Sequence, residues 1–430
     1  MLEKNNKKLI NAWASFDWAN SVYNLIITTA IFPIYFLGTT EAYFKGERLT
    51  FFGYEISNSV LYSYVISFSF LIIVFISPVL SGIADYSGRK KVFMQFFTYL
   101  GSFACMGLYF FTGKNVEYGI ICAILGSIGF AGSLVFYNSF LPEVASVEKM
   151  DAVSARGFSM GYIGSVILLL VNLVLFQNFE FFGFESGLYA TRFGFILVGI
   201  WWLGFSQIAF YYLEDNKGIK PISKEVLGKG IEQIKNVLKR VKSMKTMYFY
   251  LLSFFVFSMG VQTVMLLAPL FANKVIGMAS DEMIIVVLII QIIAIAGSYF
   301  FAWLSRYKGN AISITVALVV WACICIAGYF LINKIPFYIM AVFLGFVMGG
   351  IQSISRSTYS KLIPIETKEH ASFFSFYDIT EKLGIVIGTF FYGFIDHLTG
   401  NMRLSMLFMS LFFISGIVIL RKAKLNFKNI

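Results

Sequence analysis

The sequence predicts an all-α membrane protein with twelve transmembrane helices in two pseudo-symmetric six-helix bundles. Three observations predict it. First, the 430 residues are 58% apolar and only 13% charged, with a mean hydropathy of +0.77. An ordinary soluble domain is about a quarter charged. Second, apolar runs long enough to cross a ~30 Å hydrocarbon core recur at 12–37, 59–83, 92–112, 118–141, 157–176, 188–212, 246–273, 283–304, 311–333, 336–355, 372–395 and 403–420. Third, with both termini inside, 26 Lys/Arg fall on inner segments and 6 on outer ones. That asymmetry is the positive-inside rule, and it predicts cytoplasmic termini.

The elements divide in order. Residues 1–213 hold six spans, 214–245 form a linker, and 246–430 hold six more. Residues 1–11 are polar and basic, and the first run is too long for a signal h-region, so no cleaved leader is expected. The linker carries nine Lys/Arg and four acids. Its Leu227, Ile231, Ile234, Leu238 and Val241 recur at helical spacing, which predicts an amphipathic helix on the inner membrane surface or a plain inter-bundle connection. The net charge of +11 is therefore topological, with some affinity for anionic lipid. Nucleic acid is not an expected partner.

The halves look like copies. Pro33 and Pro269 sit in matching contexts, as do Leu141-Pro142 and Ile363-Pro364. Between spans 2 and 3 lies Gly82-Ile-Ala-Asp85-Tyr-Ser-Gly88-Arg89-Lys90-Lys91. After span 8, Trp303-Leu-Ser305-Arg306-Tyr-Lys308-Gly309 is a worn copy with serine where the acid would stand. The glycines allow a tight turn, Gly82, Asp85, Gly88, Arg89 and Arg356 are expected to latch the cytoplasmic ends, and the N-terminal half is expected to keep the working latch.

Polar groups inside hydrocarbon need a reason. Asp17, Asn20 and Asn24 share one face of span 1 at i, i+3 and i+7. They suit either a substrate-handling face or interhelical hydrogen bonds. Asp378 and Lys382 are i,i+4 partners with Glu381 beside them, and Tyr377 precedes them. That triad is expected either to face a central cavity, with Asp17 and Gln352, and handle a solute or ion there, or merely to neutralise itself. Gln352 and Arg356 share a face of span 10. Asn138 and Gln262 are further candidate lining residues, whereas Gln291 reads as a packing contact. Arg356 and Arg192 could bind an anionic group or anchor the helix ends. Cys105, Cys122, Cys323 and Cys325 read as buried small apolar residues.

The Gly82–Lys91 loop resembles the signature between helices 2 and 3 of the major facilitator superfamily, with Tyr86 in place of the usual basic residue. Further segments resemble its vacuolar amino-acid effluxer-like branch. They are Phe16-Asp17-Trp18-Ala19-Asn20-Ser21, Tyr137-Asn138 with Leu141-Pro142-Glu143, Trp201-Trp202, Gly260-Val-Gln262-Thr263, Gly349-Gly350 with Gln352 and Ser355-Arg356-Ser357, and Phe373-Phe374 with Phe376-Tyr377-Asp378. The resemblance implies the major facilitator fold and a small-solute carrier, with amino-acid efflux the fungal precedent. Met259 stands where members often carry an acid, so any coupling ion, a proton or sodium, would use Asp17, Asp378 or Glu381.

The expected protein is a monomeric secondary transporter of the bacterial plasma membrane that binds a small molecule and needs no cofactor. No Walker-type nucleotide loop occurs. A membrane enzyme is disfavoured because His370 and His397 fall in loops on opposite sides, with no cluster of catalytic or metal-ligating groups. A receptor on the same fold would have lost Asp17, Asp378 and Lys382. Peptide, sugar and amphiphilic-drug cargoes stay open.

Overall fold

The computed structural model describes residues 3–215, 224–425 and 427. The first span is α1 (Lys7–Val22), a π-helical stretch (Tyr23–Ala30) and α2 (Phe32–Phe44), bent by 40° at Ile31. Pro33 sits in the first turn of α2, where its missing N–H breaks no ladder bond. A short hairpin, β1 (Arg48–Phe51) and β2 (Tyr54–Ser57), follows in antiparallel register with Phe51 opposite Tyr54. Next come α3 (Asn58–Ser87), α4 (Lys90–Gly107), α5 (Val116–Ser139), the single turn α6 (Leu141–Val144), α7 (Met150–Gln177) and α8 (Gly187–Tyr212). The linker contains α9 (Lys224–Ser243). The second half is α10 (Lys245–Ile276), α11 (Ser280–Lys308), α12 (Asn310–Phe330), α13 (Lys334–Leu362), α14 (His370–Thr399) and α15 (Met402–Ala423).

Ten described helices are long and apolar enough to cross a membrane, and the bent first pair makes an eleventh. The expected span at 372–395 is α14. It has ample length at 30 residues, but Asp378, Glu381 and Lys382 within one turn keep it out of that apolar set. The expected span at 157–176 begins earlier, at Met150, which draws Asp151 into the helix. The spanning helices are largely apolar, and most of their polar side chains turn toward other helices rather than outward. One side of each packs on neighbours, and residues such as Phe68, Phe75, Phe103 and Ile335 point outward.

The first-half core gathers around Trp13 and Trp202, and the second-half core around Trp321. Between the halves, α7 packs on α11 and α13, and α14 packs on α3 and α5. α1 begins and α15 ends on one face of the molecule, the terminal face. Cys105, Cys122 and Cys325 are buried as expected, but Cys323 is exposed on α12. Both histidines belong to α14, one at each end, rather than to loops.

The two glycines of the Gly82–Lys91 segment do different jobs. Gly88 ends α3 with φ 72°, and its N–H returns to the carbonyls of Ala84 and Asp85. Gly82 takes no part in the turn. It lies inside α3, where a Cβ would come within 2.2 Å of the Gly230 carbonyl oxygen on α9. The expectation that both glycines serve the turn is therefore corrected.

Candidate functional site

A cavity of about 190 Å³ lies between the two halves. Asp17, Asn20, Asn24, Asn138, Gln262, Gln352, Arg356, Tyr377, Glu381 and Lys382 all line it. A second, more apolar chamber of about 140 Å³ shares the Asn24, Thr28, Phe70, Gln262 and Gln291 walls and adds Pro269, Met283, Val286 and Phe337. Residue numbers rise along α1 and α10 away from the terminal face. The first chamber is thus the deeper one, and the second leads toward the opposite face. The π-helical stretch places Asn24 and Thr28 on the wall. Its extra residue per turn is stabilised where Thr29 Oγ1 donates to the Asn24 carbonyl at 2.9 Å.

Asp17 and Arg356 close the floor. Arg356 comes from α13 in the second half, and every acceptor it reaches lies in the first. Its Nη1 donates to Asp17 Oδ2 at 3.0 Å and Asn138 Oδ1 at 3.3 Å; its Nε donates to Ser154 Oγ at 3.0 Å and its Nη2 to the Ser154 carbonyl at 2.9 Å. Tyr137 Oη donates to the same Asp17 oxygen at 2.8 Å. The guanidinium also stacks over Phe158, with 4.1 Å to the ring centroid, and over Trp13 at 4.8 Å. Both charges are almost wholly buried, at 3% and 5% side-chain exposure. Arg356 is therefore a pin between the halves, not an anchor reaching for the surface. Arg192 instead lies over the Tyr189 and Tyr109 rings at 4.0 and 5.5 Å.

On the opposite wall Lys382 Nζ sits 3.2 Å from Glu381 Oε2 and 3.6 Å from Asp378 Oδ1. Gln262 Nε2 donates to Glu381 Oε1 at 2.9 Å. Asp378 corrects the expectation that it faces the cavity. Tyr377, Glu381 and Ile385 line the wall at i, i+4 and i+8, which turns Asp378 behind Lys382. Its Oδ2 is buried without a hydrogen-bond partner among the described residues. Gln291, expected to be a packing contact, is a wall residue of both chambers, and its Oε1 is also unpartnered. Three more such buried atoms, Asn20 Nδ2, Ser165 Oγ and Ser355 Oγ, belong to residues of the cavity lining. Tyr162, which the sequence reading missed, donates to Gln352 Oε1 at 2.6 Å across the halves.

Below the floor, two clusters tie the halves together. In one, Asp85 Oδ1 and Oδ2 accept the Ala371 and Ser372 N–H groups at 3.2 and 2.7 Å, in the first turn of α14. Arg89 stands at the start of α4 near Asp215. The Asp215 carboxylate accepts the Lys91 N–H at 2.6 Å, and burial pushes its pKa up. The cation that enters the cluster is Lys90, fully buried and paired with Glu143, whose Oε1 is also 2.9 Å from His370 Nδ1. The second cluster corrects the reading of the worn copy. Ser305 Oγ donates to Asp151 Oδ2 at 2.7 Å, Asn310 Nδ2 to Oδ1 at 3.0 Å, and Lys361 Nζ to Oδ2 at 2.6 Å. The acid missing from α11 is supplied by α7, so a buried ionic cluster spans the halves at the copy as well as at the original loop. Lys90, Glu143, Asp151, Lys361 and His370 were not among the expected site residues.

A two-half helical fold around a buried polar cavity, closed on one face by cross-half ion pairs, defines a major facilitator transporter, and a multi-pass integral membrane protein. Along 97% of its length the chain superposes on 99% of FucP, a major facilitator transporter in the outward conformation, with TM-score 0.72 and 13% identity. Residues 5–426 match the family described as Vacuole effluxer Atg22 like, and the chain belongs to that family. It is 30% identical over 415 residues to the uncharacterised transporter YxiO of Bacillus subtilis, covering 95% of this chain and 93% of that one. It is 24% identical to autophagy-related protein 22 of Coccidioides immitis, covering 84% and 71%.

Proposed function

We propose that the protein carries a small zwitterionic solute, an amino acid with an apolar side chain, by alternating access across a bacterial plasma membrane. The terminal face lies in the cytoplasm, and the structure described is closed on that side. One observation supports the substrate reading: the cavity wall, together with Asp378 buried just behind it, holds one acid too many. Asp17 is matched by Arg356, whereas Asp378 and Glu381 share the single cation Lys382. An uncompensated buried charge is costly. The α-ammonium group of an amino acid offsets it, and Gln262 already orients the Glu381 carboxylate that would receive it. Asn20 Nδ2 offers a donor for the carboxylate end. The apolar chamber beside Met283, Val286 and Phe337 receives the side chain. When the carrier returns empty, a proton or sodium ion takes the place of the ammonium.

The same chamber favours, as a second reading, a cationic amphiphile that lacks the carboxylate. Asp17–Arg356, the Asp85 cluster with Gly88 and Arg89, and the Asp151 cluster form the latch that must break for the cavity to open inward. Counterflow in proteoliposomes tests the substrate reading. Leucine or phenylalanine should exchange, and their amides, which lack the carboxylate, should not. Exchange of the amides alone would select the amphiphile. Failure of all of them, with no ligand-induced rise in melting temperature, would overturn both readings of the cargo.

A further inference from the structure

Helix α9 is a basic connection between the bundles. Its packing here is specific. Gly230 meets Gly82 and Ile83 of α3, closely enough that a Cβ on Gly230 would sit 2.7–2.9 Å from Ile83 atoms. Val226, Val237 and Val241 are buried on that same side. At its far end Arg240 pairs with Glu369 and lies 5.4 Å from the Phe373 ring centroid on α14. The helix thus spans the joint between α3 and α14, beside the Asp85 cluster.

The apolar face expected from the sequence splits in two. Val241 turns inward, but Leu227, Ile231 and Leu238 remain 41%, 42% and 38% exposed. These three lie on one stripe, at i, i+4 and i+11. The charged edge of α9, with Lys229, Gln233, Asn236 and Arg240, lines a groove against residues 364–369 on the terminal face. The leucine stripe is on the other side of the helix, turned away from that groove. Depth agrees with this orientation. Gly82 lies five residues before the end of α3, roughly 7 Å inside its tip at 1.5 Å per residue. A helix docked there lies at the level of the lipid headgroups. Exposed Lys235 and Lys242 each follow a stripe residue by four positions, and exposed Lys239 follows Lys235. Cations therefore border the apolar stripe on the side away from the protein.

We propose that α9 is a lipid-binding strap. Leu227, Ile231 and Leu238 enter the cytoplasmic leaflet, and Lys235, Lys239 and Lys242 engage the phosphates of anionic headgroups. A helix held in this way, with Gly230 on α3 and Arg240 on α14, favours the closed cytoplasmic side. The charge pattern selects an anionic leaflet over a protein partner: an apolar stripe with a cationic border matches hydrocarbon beneath acidic headgroups.

The test uses the full chain in nanodiscs, with Cys323→Ser to remove the exposed thiol. Nitroxides at Ile231→Cys and Leu238→Cys should collide several-fold more often with oxygen, relative to an aqueous nickel chelate, than one at Asn236→Cys. Equal aqueous access at all three sites would overturn the insertion. Phosphatidylglycerol should raise the melting temperature over phosphatidylcholine alone. The K235Q/K239Q/K242Q variant should lose that increment while keeping its melting temperature in neutral lipid. Removing three cations from an anionic surface should lower the preference for such lipid on the order of a hundredfold. An unchanged increment would overturn the lysine assignment. Shielding of position 231 in native membranes but not in nanodiscs of either lipid would assign the stripe to a protein, and would also overturn the proposal.

Discussion

Asp17→Asn is the most direct test of the floor. The change keeps the shape and leaves an acceptor for Tyr137, but it strips the countercharge from a guanidinium only 3% exposed. Breaking one side of a buried pair costs about 3–5 kcal/mol, because the remaining charge stays desolvated. All four hydrogen bonds of Arg356 end on α1, α5 and α7, so this penalty falls on the closed floor. Once the halves part, the guanidinium meets water and the penalty disappears. At about 1.4 kcal/mol per tenfold, the low end of that range shifts the closed-to-open ratio roughly a hundredfold. Pulsed electron resonance between nitroxides at Lys149 and Lys368, exposed sites on opposite halves, would report it as a new long distance. D17N/R356Q, with no orphaned charge, should recover part of the closed population. An unchanged distance distribution in D17N, or a double variant no more closed than the single one, would refute the reasoning.

Gly82→Ala should displace α9, since the new Cβ would lie 2.2 Å from the Gly230 carbonyl oxygen; amide exchange across α9 should speed at least tenfold while that of α4 is unaltered. Glu381→Gln keeps a partner for Gln262 but removes the surplus negative charge, so binding of an apolar amino acid should weaken by tenfold or more in calorimetry, with melting temperature little changed. Equal affinity would move the ammonium site away from the triad.

Much of the fold was legible because hydrocarbon forbids unexplained polarity. Asp17, Asn20 and Asn24 stood out of an apolar run at helical spacing, and all three line the cavity. The same logic failed by one step at Asp378. A residue next to Tyr377 is rotated by 100° about a helix, and only the packing of α14 decides which of the two meets the cavity. The partners in the two ionic clusters were out of reach for a different reason. Lys361 and Asp151 are 210 positions apart, and His370 and Glu143 are 227 apart. Each taken singly is an ordinary charge at a helix end. The exposed edge of α9 was hidden by its own pattern, since Val241 and Leu238 belong to one apolar arc until α3 divides it. The π-helical stretch at Tyr23–Ala30 has no composition that marks it.

The two ionic clusters obey one rule that neither shows alone. Counted by half, α14 is the fifth span of the second half and α7 the fifth of the first. Asp85, at the end of α3, reaches across to the first turn of α14. At the matching end of α11 stands Ser305, and the carboxylate is in the first turn of α7 itself, as Asp151. What the repeat preserves is thus a carboxylate at the N-terminus of each fifth helix, where the unsatisfied N–H groups and the helix dipole favour negative charge. Which element supplies it is secondary. Asp151→Ser should then leave Lys361, only 9% exposed, without its countercharge and open the terminal face by about the same 3 kcal/mol as D17N. Ser305→Asp alone should also destabilise, because its carboxylate would stand beside Asp151 and like charges at that distance cannot both ionise cheaply. Together, D151S/S305D rebuilds in the second cluster the arrangement of the first, and the distance distribution should return toward that of the unmodified protein. If the double variant were as open as D151S, the position of the acid on α7 would matter in itself, and the rule relating the two halves would be wrong.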